Sequence, residues 1–207
     1  ELWNKAEENL RDVLDEICGK DNYRVNEGDG AFYGPKIDIK MKDCLGREWQ
    51  MGTVQVDFQL PLRFNLSYID SNGEKKTPIM IHRALFGSFE RFIGILTEHF
   101  AGAFPTWLAP VQVRLLPIAD SHKEYAEKLL EELDKKGIRA EMDDRQEKIG
   151  YKIREAQLQK VPYMLILGDK EVEAGAVGVR SRKDGDIGQM SLEDFVNKIL
   201  EEVENFA

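Results

Sequence analysis

Residues 77–102 read TPIMIHRALFGSFERFIGILTEHFAG, and their pattern decides the fold. Pro78 bars a helix through its position, because the ring removes an N–H donor and clashes with the preceding turn. Ile79, Met80 and Ile81 form a short apolar run, which predicts a buried strand. From Phe89 onward Phe89, Phe92, Ile93, Leu96 and Phe100 keep helical spacing, which predicts a helix with one apolar stripe. Gly87 and Ser88 mark the junction. His82 at the strand end, Ser88 at the helix start and Glu90 and Arg91 in the first turn gather beside unpaired N–H groups, an arrangement suited to an anion. A structural hydrogen bond for His82 and a weak surface pair for Arg91 are the plain alternatives. Gly94 costs the helix about 1 kcal/mol relative to Ala, and so predicts something packed closely against that turn.

Working back from this stretch, Ile37, Ile39 and Met41 alternate with Lys36, Asp38, Lys40 and Lys42 in AFYGPKIDIKMKD, the period of a half-buried strand. A second strand is predicted from Arg47 to Leu60. Val54, Val56, Phe58 and Leu60 share the parity that faces a core, while Thr53, Gln55, Asp57 and Gln59 share the other. A row of uncharged hydrogen-bonding groups beside one acid makes a floor for a small polar substrate, the alternative being an ordinary solvated face. Asn72-Gly73 predicts a type I′ hairpin leading into the opening stretch. Leu2 to Cys18, with Trp3, Ala6, Leu10, Val13, Leu14 and Ile17, predicts a helix with one buried face, stopped by Gly19. The first half is thus an α+β unit on an antiparallel sheet. It contains no Gly-rich phosphate loop, which separates it from dinucleotide and P-loop folds.

Beyond the opening stretch, Ala103 to Pro110 reads as a packed linker. Strand and helix patterns then alternate: VQVRLLPI, a helix from about His122 to Lys136, IRAEMDD, a helix at about Glu147 to Lys160, YMLILG and AVGVRSR. Asp184 to Asp186 is a turn, and Ser191 caps a last helix with Asp194 in the capping-box position. This predicts a small α/β domain with a mixed sheet.

The 207 residues are 42% hydrophobic and carry a net charge of −9, with acidic residues in excess on both sides of Pro110. Such a balance excludes a general nucleic-acid binder driven by phosphate neutralisation. No apolar run is long enough to span a membrane. Cys18 and Cys44 form no metal-type pair and point to a reducing, cytoplasmic setting. The chain opens on Glu1, without Met and inside an amphipathic pattern, so further residues are expected upstream.

Gly87, Ser88, Phe89, Glu90 and Arg91 resemble motif 3 of the class II aminoacyl-tRNA synthetases. The wording IHRALFGSFERFIGILTEHFAG, with PTWLAPVQV at 105–113, resembles the threonyl-tRNA synthetase family, and the resemblance runs from Trp3 to the end. It implies that residues 1–108 are the carboxy-terminal part of a catalytic domain and residues 109–207 an anticodon-binding domain. The implied activity is activation of threonine by ATP with magnesium to an adenylate, then transfer to threonine tRNA. Arg91 and Lys36 are then the catalytic cations, with Arg91 stacked on the adenine, a role that needs a planar guanidinium. Gln50 and Thr53 would join Arg91 in holding ATP and the adenylate. Tyr33, Gln55 and Ser88 would hold the amino acid. His82 matches one of the three protein ligands of the family's zinc; the other two, a Cys and a His, lie upstream of this chain, and Cys18 and Cys44 do not match them. Arg145, Gln146, Lys148, Glu171 and Arg180 would contact the anticodon, although the family pattern has Asn where Gln146 stands. A solvated edge strand is the alternative for Arg180, Arg182 and Lys183. The resemblance also implies a homodimer in the intact enzyme. Motifs 1 and 2 and the editing domain have no counterpart in these residues, so little adenylate formation is expected from them alone. Two rivals stay open: a non-catalytic synthetase-like tRNA-binding module, and a prolyl or glycyl enzyme with the same second domain.

Overall fold

A computed structural model describes residues 2–206; Glu1 and Ala207 lie outside the described residues. The chain divides into two compact units between Leu96 and Thr97.

In the first unit, helix α1 (Leu2–Cys18) precedes strands β1 (Lys36–Lys42) and β2 (Glu48–Asp57). A short helix α2 (Gln59–Arg63), the small strands β3 (Tyr68–Ile69) and β4 (Lys75–Lys76), strand β5 (Met80–Ala84) and helix α3 (Phe89–His99) follow. The sheet has the order β1-β2-β5 and is antiparallel throughout.

Five details depart from the sequence reading. Strand β2 stops at Asp57, not Leu60, because the Asp57 carboxylate accepts the N–H groups of Gln59 and Leu60 at 2.8 and 2.9 Å and turns the chain into α2. The Asn72-Gly73 hairpin joins β3 to β4 rather than to β5. Ile69 pairs with Lys75, and the Asp70 carboxylate accepts from the N–H groups of Asn72 and Glu74, so Asp70 shapes a five-residue loop in which only Gly73 has positive φ. The Ile79 to Ile81 segment is not buried: β5 is an edge strand, and Ile79 and Ile81 are more than half exposed. On α3, Phe89 and Ile93 are exposed, Phe92, Leu96 and Phe100 half-buried, and a Cβ on Gly94 would meet nothing within 4 Å. The stripe of α1 is only partly covered, with Ala6 buried, Trp3, Leu10 and Leu14 half-buried and Val13 and Ile17 exposed.

The second unit is the better packed. Its sheet has the order β10-β9-β8-β6-β7, formed by β6 (Val113–Pro117), β7 (Ala140–Met142), β8 (Tyr163–Leu167), β9 (Ala176–Ser181) and β10 (Gly185–Ser191). Strands β6, β7 and β8 are parallel, and β9 and β10 join as antiparallel neighbours, giving the expected mixed sheet. Helices α4 (Lys123–Lys135) and α7 (Leu192–Glu204) cover one face with Leu129, Leu133, Phe195 and Ile199 against Leu115, Leu165 and Val179. Helix α5 (Ile149–Leu158) covers the other, with Ala156 beside Leu116, Val161 and Met164. A short helix α6 (Asp169–Ala174) links β8 to β9. Ser191 caps α7 by accepting the Asp194 N–H at 3.0 Å, while the Asp194 carboxylate accepts from the Ser191 hydroxyl rather than from its backbone. Among the described residues no helix is long and apolar enough to cross a membrane.

Candidate functional site

Strand pairing collects the polar side chains of the first unit on one face. Lys36 lies opposite Gln55, and Gln55 opposite His82, so the three form a row across β1, β2 and β5. Asp38, Thr53 and Ala84 form the next row. Paired residues point to the same side of a sheet, and every second residue of a strand returns to it. Gln50 has the wrong parity for this face. It is brought there by a β-bulge: the register shifts between Ile39 and Lys40, and Gln50 pairs with Lys40.

Within the face the contacts are specific. The Tyr33 hydroxyl donates to Gln55 Oε1 at 2.6 Å, and the Tyr33 ring meets the His82 ring at 5.8 Å between centroids and 61°. His82 Nε2 lies 2.8 Å from Asp57 Oδ2. Asp38 bridges the two other polar groups, taking Lys36 Nζ at 2.7 Å and Gln50 Nε2 at 2.8 Å. That hydrogen bond raises the Lys36 pKa against the opposing effect of burial, so Lys36 stays cationic. Burial of Asp57 pushes its carboxyl up, but the hydrogen bond to His82 and the two backbone N–H groups outweigh it and hold the group below the usual carboxylate range. Thr53 Oγ1 is buried and has no hydrogen-bond partner among the described residues.

Gly34 and Gly87 bring the flanking loops in. A Cβ on Gly34 would stand 1.8 Å from the Val56 carbonyl oxygen, so the loop bearing Tyr33 and Lys36 lies directly on β2. Gly87 has φ +70°, and a Cβ there would meet Gln50 O at 3.4 Å and an Arg91 guanidinium nitrogen at 3.8 Å. The Arg91 guanidinium therefore stands by the Gly87 turn, beside the backbone of β2. Ser88 Oγ accepts the Arg91 N–H at 3.2 Å, a helix-capping role that the sequence reading did not give it. Tyr33, Lys36, Gln50, Thr53, Gln55 and His82 are thus gathered on one sheet face, Arg91 stands at its end, and Ser88 is engaged at the start of α3.

Asp57 and Asp38 were not among the candidate site residues. The signal for Asp57 was its place as the one acid in the row Thr53, Gln55, Asp57, Gln59. Asp38 gave none beyond ordinary strand alternation. A separate cavity of about 150 Å³ lies between α1, residues 23–30 and β1, and Lys36 and Asp38 reach its wall. Among the described residues no three His, Cys, Asp or Glu side chains are grouped to hold a metal ion.

In the second unit Glu171 and Arg180 share the α5 face of the sheet, and the other three candidates lie in the loop before α5. Arg180 pairs with Met164, which packs under α5, and Gly178 lies two residues along the same face. A Cβ on Gly178 would meet the Glu171 carboxylate at 3.5 Å, so Glu171 and Arg180 occupy that face together. Arg145, Gln146 and Lys148 precede α5. Arg145 is committed to a two-point pair with buried Asp143 at 2.8 and 2.7 Å and stacks over Tyr151, while Gln146 donates to Asp120 and Lys148 is exposed. Strand β9 is internal to the sheet, which removes the edge-strand explanation for Arg180. Arg182 instead clamps the linker, donating to the carbonyls of Phe104 at 2.7 Å and Lys160 at 2.5 Å.

The chain was compared with known families, sequences and structures. Residues 1–100 match the tRNA synthetase class II core domain (G, H, P, S and T), and residues 112–202 match the anticodon binding domain. The chain is 66% identical over 205 residues to a threonine–tRNA ligase of Clostridium botulinum (strain Hall), covering 99% of this chain and 32% of that protein. It is 63% identical to the threonine–tRNA ligase of Clostridium tetani, with the same coverage. The chain therefore spans about a third of the length of the curated relatives it matches. A crystal structure of the RNA binding domain of threonyl-tRNA synthetase from Cryptosporidium parvum Iowa II superposes with a TM-score of 0.82 at 42% identity, covering 97% of this chain and 50% of that one.

Proposed function

We infer, from a chain that belongs to the threonyl-tRNA synthetase family over 99% of its length, that it serves in the ATP-dependent attachment of threonine to its tRNA. Residues 1–108 act as the carboxy-terminal part of the catalytic domain and residues 109–207 as the anticodon-binding domain. The observation that carries the reading is the single polar row Lys36, Gln55, His82, with Tyr33 and Asp57 bonded into it.

Adenylate formation asks a protein mainly to position two substrates and to stabilise charge on the phosphate in flight. Arg91 supplies a planar cation for the adenine and the triphosphate with its magnesium, and Lys36, kept charged by Asp38, supplies a second cation. Gln50 and Thr53 line the adenylate side. Gln55, oriented by the Tyr33 hydroxyl, faces the amino acid, and Ser88 stands at the near end of α3. His82 offers one of three protein ligands for zinc, the others being supplied from outside this chain. When bound, zinc would be a Lewis acid for the amino and hydroxyl groups of threonine. A site that engages the hydroxyl rejects valine, its isostere, because a polar site would be left unmatched. In the second unit Glu171 and Arg180 with the start of α5 form the surface for the anticodon, where a basic group suits phosphate and Glu a base amino group. Homodimeric assembly and a cytoplasmic setting complete the reading.

The test is amino-acid-dependent ATP–pyrophosphate exchange by the full-length gene product. Threonine should support exchange, valine should not, and zinc removal should abolish the discrimination against valine. Exchange with proline or glycine, or with no amino acid, would contradict the proposal.

A further inference from the structure

We propose that Asp38 is a positioning residue for adenylate formation, a single carboxylate that holds Lys36 and Gln50 together at the nucleotide end of the polar face. The inference deepens the proposed function and rests on Lys36 and Gln50 serving the nucleotide there.

Strand register brings the three residues together. Asp38 lies opposite Thr53 and two residues after Lys36 on β1, so Lys36 and Asp38 share the polar face. Gln50 joins them through the bulge. Ile39 pairs with Gly52 and Lys40 with Gln50, which leaves Met51 as the extra residue, and Met51 is buried. Sending Met51 into the core re-aims Gln50, and the side chain it meets is Asp38.

The contacts divide one to each oxygen. Asp38 Oδ2 takes Lys36 Nζ at 2.7 Å, and Oδ1 takes Gln50 Nε2 at 2.8 Å. A carboxylate beside an ammonium only accepts, so Gln50 has to present its NH₂ there and turn Oε1 away, where it can accept from a hydroxyl or amino group of a ligand. This is not an ordinary surface bridge. The Lys36 and Asp38 side chains are 19% and 12% exposed, whereas Lys40 and Glu48, one step further along the same ribbon, are 43% and 50% exposed. An exposed pair of the second kind contributes little. Among the described residues the other ion-pair partner of Lys36 is Asp29, at 4.0 Å and exposed. Asp38 therefore sets where the ammonium stands.

Asp38→Asn keeps the size and removes the charge, and one amide oxygen cannot serve both donors as two carboxylate oxygens do. The first measurement is pyrophosphate exchange by the full-length protein. Its kcat should fall about 10- to 100-fold, because misplacing a group by a fraction of its length costs that much where positioning carries the catalysis. The KM for ATP should hold or fall, since a negative charge beside the triphosphate has gone, and the KM for threonine should hold. A fall in kcat at constant KM marks an interaction made in the transition state, whereas loss of a merely structural contact would raise both KM values. An unchanged kcat, or a rise in both KM values, would overturn the proposal. The second measurement is acetylation of Lys36 by an N-hydroxysuccinimide ester in the 207-residue chain, read by mass spectrometry against Lys128 on α4. The hydrogen bond to Asp38 is the main cause that raises the Lys36 pKa, so Asp38→Asn should speed acetylation of Lys36 about threefold or more. An equal ratio to Lys128 in both chains would overturn the hold of Asp38 on Lys36. A wild-type protein with no threonine-dependent exchange would overturn the proposed function and this role with it, while the acetylation contrast would keep the Asp38 bridge as a contact.

Discussion

A Cβ added to Gly34 would come within 1.8 Å of the Val56 carbonyl oxygen, a separation no real side chain tolerates. The loop of Tyr33 to Lys36 is fastened to β2 through this approach, with the Val56 N–H donating to Pro35 O at 3.0 Å and the Phe58 N–H to Tyr33 O at 3.1 Å. Gly34→Ala should therefore destabilise the first unit by about 3 kcal/mol, since the obstacle is backbone and cannot swing aside. Urea unfolding followed at the tryptophans of that unit, Trp3 and Trp49, checks this, and an unchanged midpoint would contradict it.

Tyr33→Phe removes one hydroxyl and leaves the ring in place. Gln55 then loses the donor that fixes its carbonyl at 2.6 Å. A hydrogen bond of this kind is worth about 1 kcal/mol. The KM for threonine in the full-length enzyme should rise about fivefold while the KM for ATP holds, as read by pyrophosphate exchange.

Arg91→Lys keeps the charge and loses the plane. Since only a guanidinium both stacks and forks, the KM for ATP should rise by about tenfold or more with the KM for threonine little changed. Equal ATP affinity in the Lys variant would show that charge alone suffices at the Gly87 turn.

Much of this molecule was legible in its sequence, and the failures share a cause. Helix α1 and most elements of the second unit were readable because each has its own apolar period or a punctuating residue, such as Gly19 or Ser191, whereas α6 and the Gly-bearing strand β10, part of which reads as a turn, were not predicted. The polar face of Thr53, Gln55 and Asp57 was readable from strand parity. Gln50 was not, because a bulge at Ile39–Lys40 reverses its parity and a bulge leaves no mark in an alternation count. The end of β2 was missed because an aspartate that closes a strand looks like any other member of a polar row. Ile79 and Ile81 were predicted to lie in a buried strand, and Phe89 and Ile93 belong to the apolar stripe of α3, yet the described chain leaves all four exposed. Hydrophobicity states that a surface seeks a partner and does not say where the partner comes from.

Acid stability of the second unit should depend on Asp143. The two-point pair with Arg145 is the main cause that holds its carboxyl below the usual range. A depressed folded pKa means that the unfolded chain binds the proton more readily. This contribution is then fully present above the ordinary carboxylate range, near pH 4–5, and is lost as the pH falls through the lower folded value. Asp143→Asn should lower Tm at neutral pH and flatten the fall of Tm on acidification, as measured by calorimetry between those limits.

The central claim is that the row Gln55, His82 and the Arg91 guanidinium belong to one threonyl-adenylate site. A crystal structure of the full-length protein with a non-hydrolysable threonyl-adenylate analogue tests it most directly. Gln55 and His82 should lie at the threonyl end, with Arg91 stacked on the adenine. An analogue seated elsewhere, with Gln55 facing solvent and Arg91 away from the base, would contradict it.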